Sequence, residues 1–96
     1  MYIVRKSLLD SQNRIVITEL FEKMPEEVRL AVDFEKKQIV ILDEDRKIGT
    51  KLLIDKKNRL AIPKWIIEEV GDCKEFLLII DGNRRLILPK KGDIIE

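Results

Sequence analysis

An apolar-rich run from Tyr2 to Leu9 breaks at Asp10-Ser11-Gln12-Asn13 and resumes from Arg14 to Ile17, which predicts a strand, a tight turn and a second extended run. Asp and Asn bond their own backbone in turns and Asn tolerates positive φ, so a hairpin at Asp10 to Arg14 has a physical cause. Thr18 is placed to cap a short helix beginning near Glu19, and Pro25 prevents that helix from running on. Arg29 to Phe34 and Gln38 to Leu42 then predict a second hairpin, turned by Glu35-Lys36-Lys37.

The second half repeats this order. Leu53-Ile54-Asp55-Lys56-Lys57-Asn58-Arg59-Leu60-Ala61-Ile62 restates Leu8-Leu9-Asp10-Ser11-Gln12-Asn13-Arg14-Ile15-Val16-Ile17 at a shift of 45 positions. Pro63 and Gly71 bracket Lys64 to Val70 as a helix of about two turns, since Pro favours a helix start and Gly the left-handed residue after its end. A helix so short depends on tertiary burial, expected here through Trp65, Ile66 and Val70 and, in the first copy, through Leu20, Phe21 and Met24. Glu75 to Ile80 and Arg85 to Leu88 predict the last hairpin around Asp81-Gly82-Asn83. Phe76 to Ile80 lacks polar alternation, which fits a strand covered on both faces. Residues 43 to 47 read as the linker between the copies.

Each copy alone falls below the roughly 50 residues that usually fold unaided, so the repeats, 1–45 and 46–96, are expected to complete one another in a single domain. Apolar residues make up 45% of the chain, mostly Ile, Leu and Val, with five aromatics; that supplies a β-rich core without marking a pocket for a large ligand. No stretch of 18 or more apolar residues and no leader-like start is present, so neither a membrane span nor a secretory signal is expected. Histidine is absent, which removes the commonest general base and zinc ligand, and the single Cys73 has no metal-ligand spacing around it. Neither an enzyme nor a cofactor or metal protein is expected. Charge is nearly balanced overall, but residues 1–45 hold 7 Lys/Arg against 10 Asp/Glu and residues 46–96 hold 12 against 8, a polarised surface.

The order strand, Asp-x-x-Asn-Arg turn, strand, short helix, hairpin resembles the AbrB/SpoVT/MraZ swapped-hairpin family of bacterial DNA-binding proteins. Copy two carries the resemblance through Asp55, Arg59, Leu60-Ala61-Ile62-Pro63, Gly71-Asp72 and Arg85-Leu86-Ile87-Leu88. Copy one has Thr18 where the family favours Pro and no Gly-Asp pair after its helix. Two Asp-x-x-x-Arg turns in one polypeptide look most like MraZ, although the extra helices of that family's longer repeat are missing.

The resemblance implies a mainly β fold with two short helices, a swapped-hairpin β-barrel made by two internal repeats. It also implies a sequence-specific DNA-binding transcriptional regulator of the cytoplasm, nucleoid-associated, self-associating and without a small-molecule substrate. Carried over residue by residue, Arg14 and Arg59 become the contacts to double-stranded DNA, and Asp10 and Asp55 the residues that orient them. Lys56 and Lys57 add charge to the second turn, while Lys6, Lys51 and Lys64 could extend a phosphate-facing stripe. Where the family places a helix arginine pair, this chain has Glu22 and Lys23 in copy one and Ile67 and Glu68 in copy two. Those departures keep two alternatives open: an assembly or protein-interaction module that has lost DNA binding, and a MazE-like antitoxin, for which the tail Lys90 to Glu96 is short.

Overall fold

The computed structural model describes residues 2–43 and 45–90. Glu44 of the expected linker and residues 91–96 of the expected tail lie outside the described residues. Eight strands form in the order expected: β1 (Tyr2–Leu8), β2 (Arg14–Val16), β3 (Glu27–Asp33), β4 (Gln38–Leu42), β5 (Thr50–Leu53), β6 (Arg59–Ala61), β7 (Glu75–Asp81) and β8 (Arg84–Pro89). The one α-helix among the described residues, α1, spans Lys64–Val70.

Pairing between strands crosses the two repeats. β1 is antiparallel to β7 of the second repeat, with Ser7 opposite Phe76, and β5 is antiparallel to β3 of the first, with Lys51 opposite Arg29. The two hairpins meet through β4 and β8, where Ile39 faces Ile87. The resulting six-stranded sheet runs β1-β7-β8-β4-β3-β5, and β2 and β6 make a separate two-stranded ribbon. The six-stranded sheet does not close on itself, because β1 and β5 are its two ends.

Burial follows from this crossing. One face of the large sheet presents Val28, Leu30, Ile39, Ile41, Phe76, Leu78 and Ile87, and it joins one core with Ile15 and Leu60 of the ribbon and Ile66, Ile67 and Val70 of α1. The expectation for β7 holds in its centre, since Phe76 and Leu78 are buried in that core while Ile79, which points to the other face, is buried opposite Leu86. Each half therefore contributes roughly half a core and neither contains a complete one. Buried polar groups are paired: the Ser7 hydroxyl donates to the Val16 carbonyl at 3.2 Å, tying β1 to β2.

Two local expectations need correction. In the first copy Thr18–Leu20 forms a single 3-10 turn rather than an α-helix, with Ile17 rather than Thr18 at its cap. The Thr18 hydroxyl accepts from the Asn58 amide at 3.3 Å instead of capping, and Phe21 turns extended straight after. Without the Pro start and Gly stop of copy two, the segment lacks what holds α1 together. Trp65 is the second correction: it is exposed, and Ile66, Ile67 and Val70 carry the burial of α1.

Gly49 shows how tightly β5 is set against β3. Its φ is +87°, and a Cβ there would stand 2.6 Å from the Leu30 carbonyl oxygen, so no L side chain fits without moving the backbone. Arg85 closes the far side: Nε donates to the Leu20 carbonyl at 2.6 Å and the guanidinium lies 4.3 Å from the centre of the Phe21 ring, clasping the 3-10 turn to β8. Among the described residues no helix is long and apolar enough to cross a membrane.

Candidate nucleic-acid interface

Both Asp-x-x-Asn-Arg segments fold into the same turn. Asp10 N–H donates to the Arg14 carbonyl at 3.0 Å, and Asn13 N–H to the Asp10 carbonyl at 3.0 Å; the second copy repeats this with Asp55, Arg59 and Asn58 at 3.1 and 3.0 Å. This is a three-residue hairpin loop whose last position must be left-handed, and Asn13 and Asn58 take it at φ of 60° and 61°. Asn is tolerated there because its short polar side chain lowers the cost of positive φ.

The aspartate side chain fixes turn and arginine together. Asp10 Oδ1 accepts from the Gln12 and Arg14 backbone N–H groups at 2.8 and 2.9 Å, and Oδ2 accepts from Arg14 Nε at 2.7 Å. Asp55 does the same with Lys57 N–H, Arg59 N–H and Arg59 Nε at 2.9, 2.9 and 2.8 Å. Each bond to Nε uses one of the five guanidinium donors and leaves the Nη groups for another acceptor. Each aspartate thus holds its own turn and the Nε of its arginine in one geometry.

Those bonds hold both carboxyls below their ordinary pKa. The bond from the Arg14 backbone N–H is the largest cause at Asp10, opposed by partial desolvation and reinforced by the Arg14 side chain; Asp55 responds to Arg59 in the same way. A lowered folded pKa means that the stabilisation is complete above about pH 4 and lost as pH falls through the lowered value. Thermal melting followed from pH 6 to pH 3 should therefore fall more steeply for the wild type than for Asp10→Asn/Asp55→Asn. Equal slopes would show that the two turns make no acid-sensitive contribution.

The ribbon determines where the arginines point. Arg14 pairs with Ala61, Ile15 with Leu60 and Val16 with Arg59. Ile15 and Leu60 are buried, so Arg14, Val16, Arg59 and Ala61 share the opposite, outer face. Arg14 and Arg59 are diagonal neighbours across the ribbon, about 7–8 Å apart at Cα. The turns themselves leave from opposite ends of the ribbon, and each arginine stands at the end of its own turn, bonded to that turn's aspartate. Two cross-repeat bonds lock this: Ile17 N–H to the Asn58 carbonyl at 2.9 Å and Ile62 N–H to the Asn13 carbonyl at 2.8 Å.

The other sequence candidates divide. Lys56 and Lys57 are exposed at the tip of the second turn. Lys64 is exposed at the start of α1, two residues after Ile62, whose N–H donates to the Asn13 carbonyl of the first turn. Lys6 and Lys51 sit on the edge strands, each already engaged by an acidic neighbour: Lys6 with Glu75 at 3.7 Å and Lys51 with Glu27 at 3.4 Å. These exposed pairs contribute only about 0–1 kcal/mol, but they offset the charge of both lysines. Glu19, beside the second turn, is engaged by Arg5 at 2.9 Å. Sequence spacing gave no sign of the two lysine pairings, because each joins strands of different repeats.

A concavity of about 730 Å³ lies elsewhere, between Phe21, Pro25, Arg29, Ile41, Asp43 and Arg85. No group of three or more metal-ligating side chains is found among the described residues. The chain matches no protein-family model, and no curated protein matches it.

Proposed function

We propose that the protein is a sequence-specific transcriptional regulator that reads duplex DNA with the outer face of the β2–β6 ribbon, acting in the cytoplasm at the nucleoid. In this reading the crossing of β1 to β7 and β5 to β3 is the strand exchange of a swapped-hairpin (AbrB-like) barrel, with one chain supplying both modules. The Asp10–Arg14 and Asp55–Arg59 turns and the Ile54–Leu60 bridge support this reading, since they connect the ends of the open sheet to the ribbon.

The observation that carries the reading is that Arg14 and Arg59 share the outer face of the ribbon as diagonal neighbours, each braced by its own aspartate. A two-stranded β-ribbon fits the major groove of B-DNA, and a braced arginine matches the paired acceptors of guanine. Lys56 and Lys57 supply phosphate contacts, which position the protein and make binding salt-dependent. Glu68 and Glu69, exposed in the last turn of α1, repel phosphate and limit the footprint to the ribbon, the turns and the start of that helix.

Binding to random duplexes at low salt tests this. The wild type should bind with an affinity that falls as salt rises, and Lys56→Glu/Lys57→Glu/Arg59→Glu should lose tenfold or more, with a shallower salt slope by about 0.9 for each phosphate contact removed. If wild type and variant bind equally poorly, the proposal is wrong.

A second reading, self-association, is favoured by one specific pattern. Ile3 and Ile48 occupy equivalent places in the repeats and are 57% and 59% exposed, and Leu8 and Leu53 are 64% and 72% exposed. The leucines and Ile3 lie on β1 and β5, the two sheet edges, where unpaired backbone and apolar side chains favour pairing with another copy. An assembly module without DNA binding would keep this association in the triple glutamate variant and show no duplex binding in the wild type.

A further inference from the structure

The two ends of the ribbon are chemically unlike. At one end the turn offers Ser11, Gln12 and Asn13, and the cross-repeat bond from Ile62 N–H to the Asn13 carbonyl ties to it the segment that leads into α1, which opens with Lys64 and Trp65. At the other end the turn offers Lys56, Lys57 and Asn58, and its neighbours are Thr18 and the Arg5–Glu19 pair. Trp65 is the only tryptophan of the chain and is 48% exposed, whereas Leu20, 45 positions earlier, is 1% exposed. The fold does not need Trp65 where it is, because Ile66, Ile67 and Val70 already seat α1. The outer face of the ribbon is also partly apolar, through exposed Val16 and Ala61.

Resting on the DNA-reading role proposed above, we infer that Trp65 is a specificity-determining contact to the duplex, so that the protein reads a non-palindromic site in a single orientation. Symmetric dimers read palindromes because each half-site meets the same side chains. Here one end grips phosphates with two lysines and the other presents Lys64 and an indole, whose apolar body packs on deoxyribose or a thymine methyl and whose N–H can donate to a phosphate. The neutral first turn is thereby compensated by the second repeat's helix start, an arrangement that exists only because the strands cross between repeats.

Since Trp65 is the sole tryptophan, its fluorescence reports the contact directly. The full chain is titrated with a fluorescein-labelled duplex recovered by selection from a random pool, following fluorescein anisotropy and tryptophan emission together. The expected result is a change in Trp65 emission with the same midpoint as the anisotropy, a selected sequence without two-fold symmetry, and about tenfold weaker binding for Trp65→Ala with recovery in Trp65→Phe. If anisotropy rises while emission and the affinity of Trp65→Ala stay unchanged, or if the selected site is palindromic, this inference fails and the DNA-reading role stands. Emission that changes with protein concentration in the absence of DNA would assign Trp65 to self-association and overturn it. No rise in anisotropy with any selected duplex removes both.

Discussion

A chain ending at Asp45 will not fold into a stable monomer. Cut there, β1 loses β7, β3 loses β5 and β2 loses β6, and only the β3–β4 hairpin keeps its partner. An isolated two-stranded hairpin is marginal in water at best. The apolar residues of this half, Ile15, Ile17, Leu20, Val28, Leu30, Ile39 and Ile41, are buried in the whole protein against Leu60, Ile66, Val70, Phe76 and Ile87 of the other half. Circular dichroism should show an unstructured chain, or sedimentation should show two copies pairing in place of the missing repeat, and adding residues 46–96 should restore the β signal. A well-folded monomer with a sharp melting transition would contradict the crossing of the strands.

Within the intact chain, Phe76→Ala is expected to be the most damaging single change. Phe76 is fully buried on β7, flanked by Ser7 of β1 and Pro89 of β8, at the place where the two repeats meet. Truncating a buried Phe costs about 3–5 kcal/mol, a large share of the roughly 5–15 kcal/mol available to a domain of this size. The melting temperature should fall by more than about 12 °C. Trp65→Ala, by contrast, should change stability by no more than about 1 kcal/mol, since its side chain is not in the core. Denaturant unfolding of the two variants checks both, and similar losses would mean that the core has been assigned to the wrong residues.

The contrast between Phe76 and Trp65 marks the boundary of what local pattern reveals. Turns were legible because their chemistry is local: Asp10 and Asp55 bond amides two and four residues on, and Asn13 and Asn58 occupy the left-handed position their spacing requires. The helix Lys64–Val70 was legible for the same reason, bracketed by Pro63 and Gly71. Trp65 was misread because a seven-residue helix has too little periodicity to distinguish its buried stripe from its outer face. The helix expected after Thr18 depended on a capping hydroxyl that a residue 40 positions away engages instead.

Site residues followed the same division. That Arg14 and Arg59 carry equivalent, aspartate-braced guanidinium groups could be read from the repeat, but their meeting on one ribbon face is set by the Ile15–Leu60 register, a long-range pairing that no local spacing encodes. Lys6 and Lys51 were expected only as extensions of a phosphate-facing stripe, and the strand partners reveal Glu75 and Glu27 beside them.

The central claim is that a duplex lies across both arginine-bearing turns at once, and an amide-resolved NMR titration with duplex DNA addresses it most directly. The backbone amides of Gln12, Arg14, Lys57 and Arg59 report each turn through their bonds to Asp10 and Asp55. The account predicts that all four shift together, saturating at the same duplex concentration, while amides of the edge strands β1 and β5 stay in place. Shifts confined to those edge strands, or to one turn with the other unmoved, would contradict it.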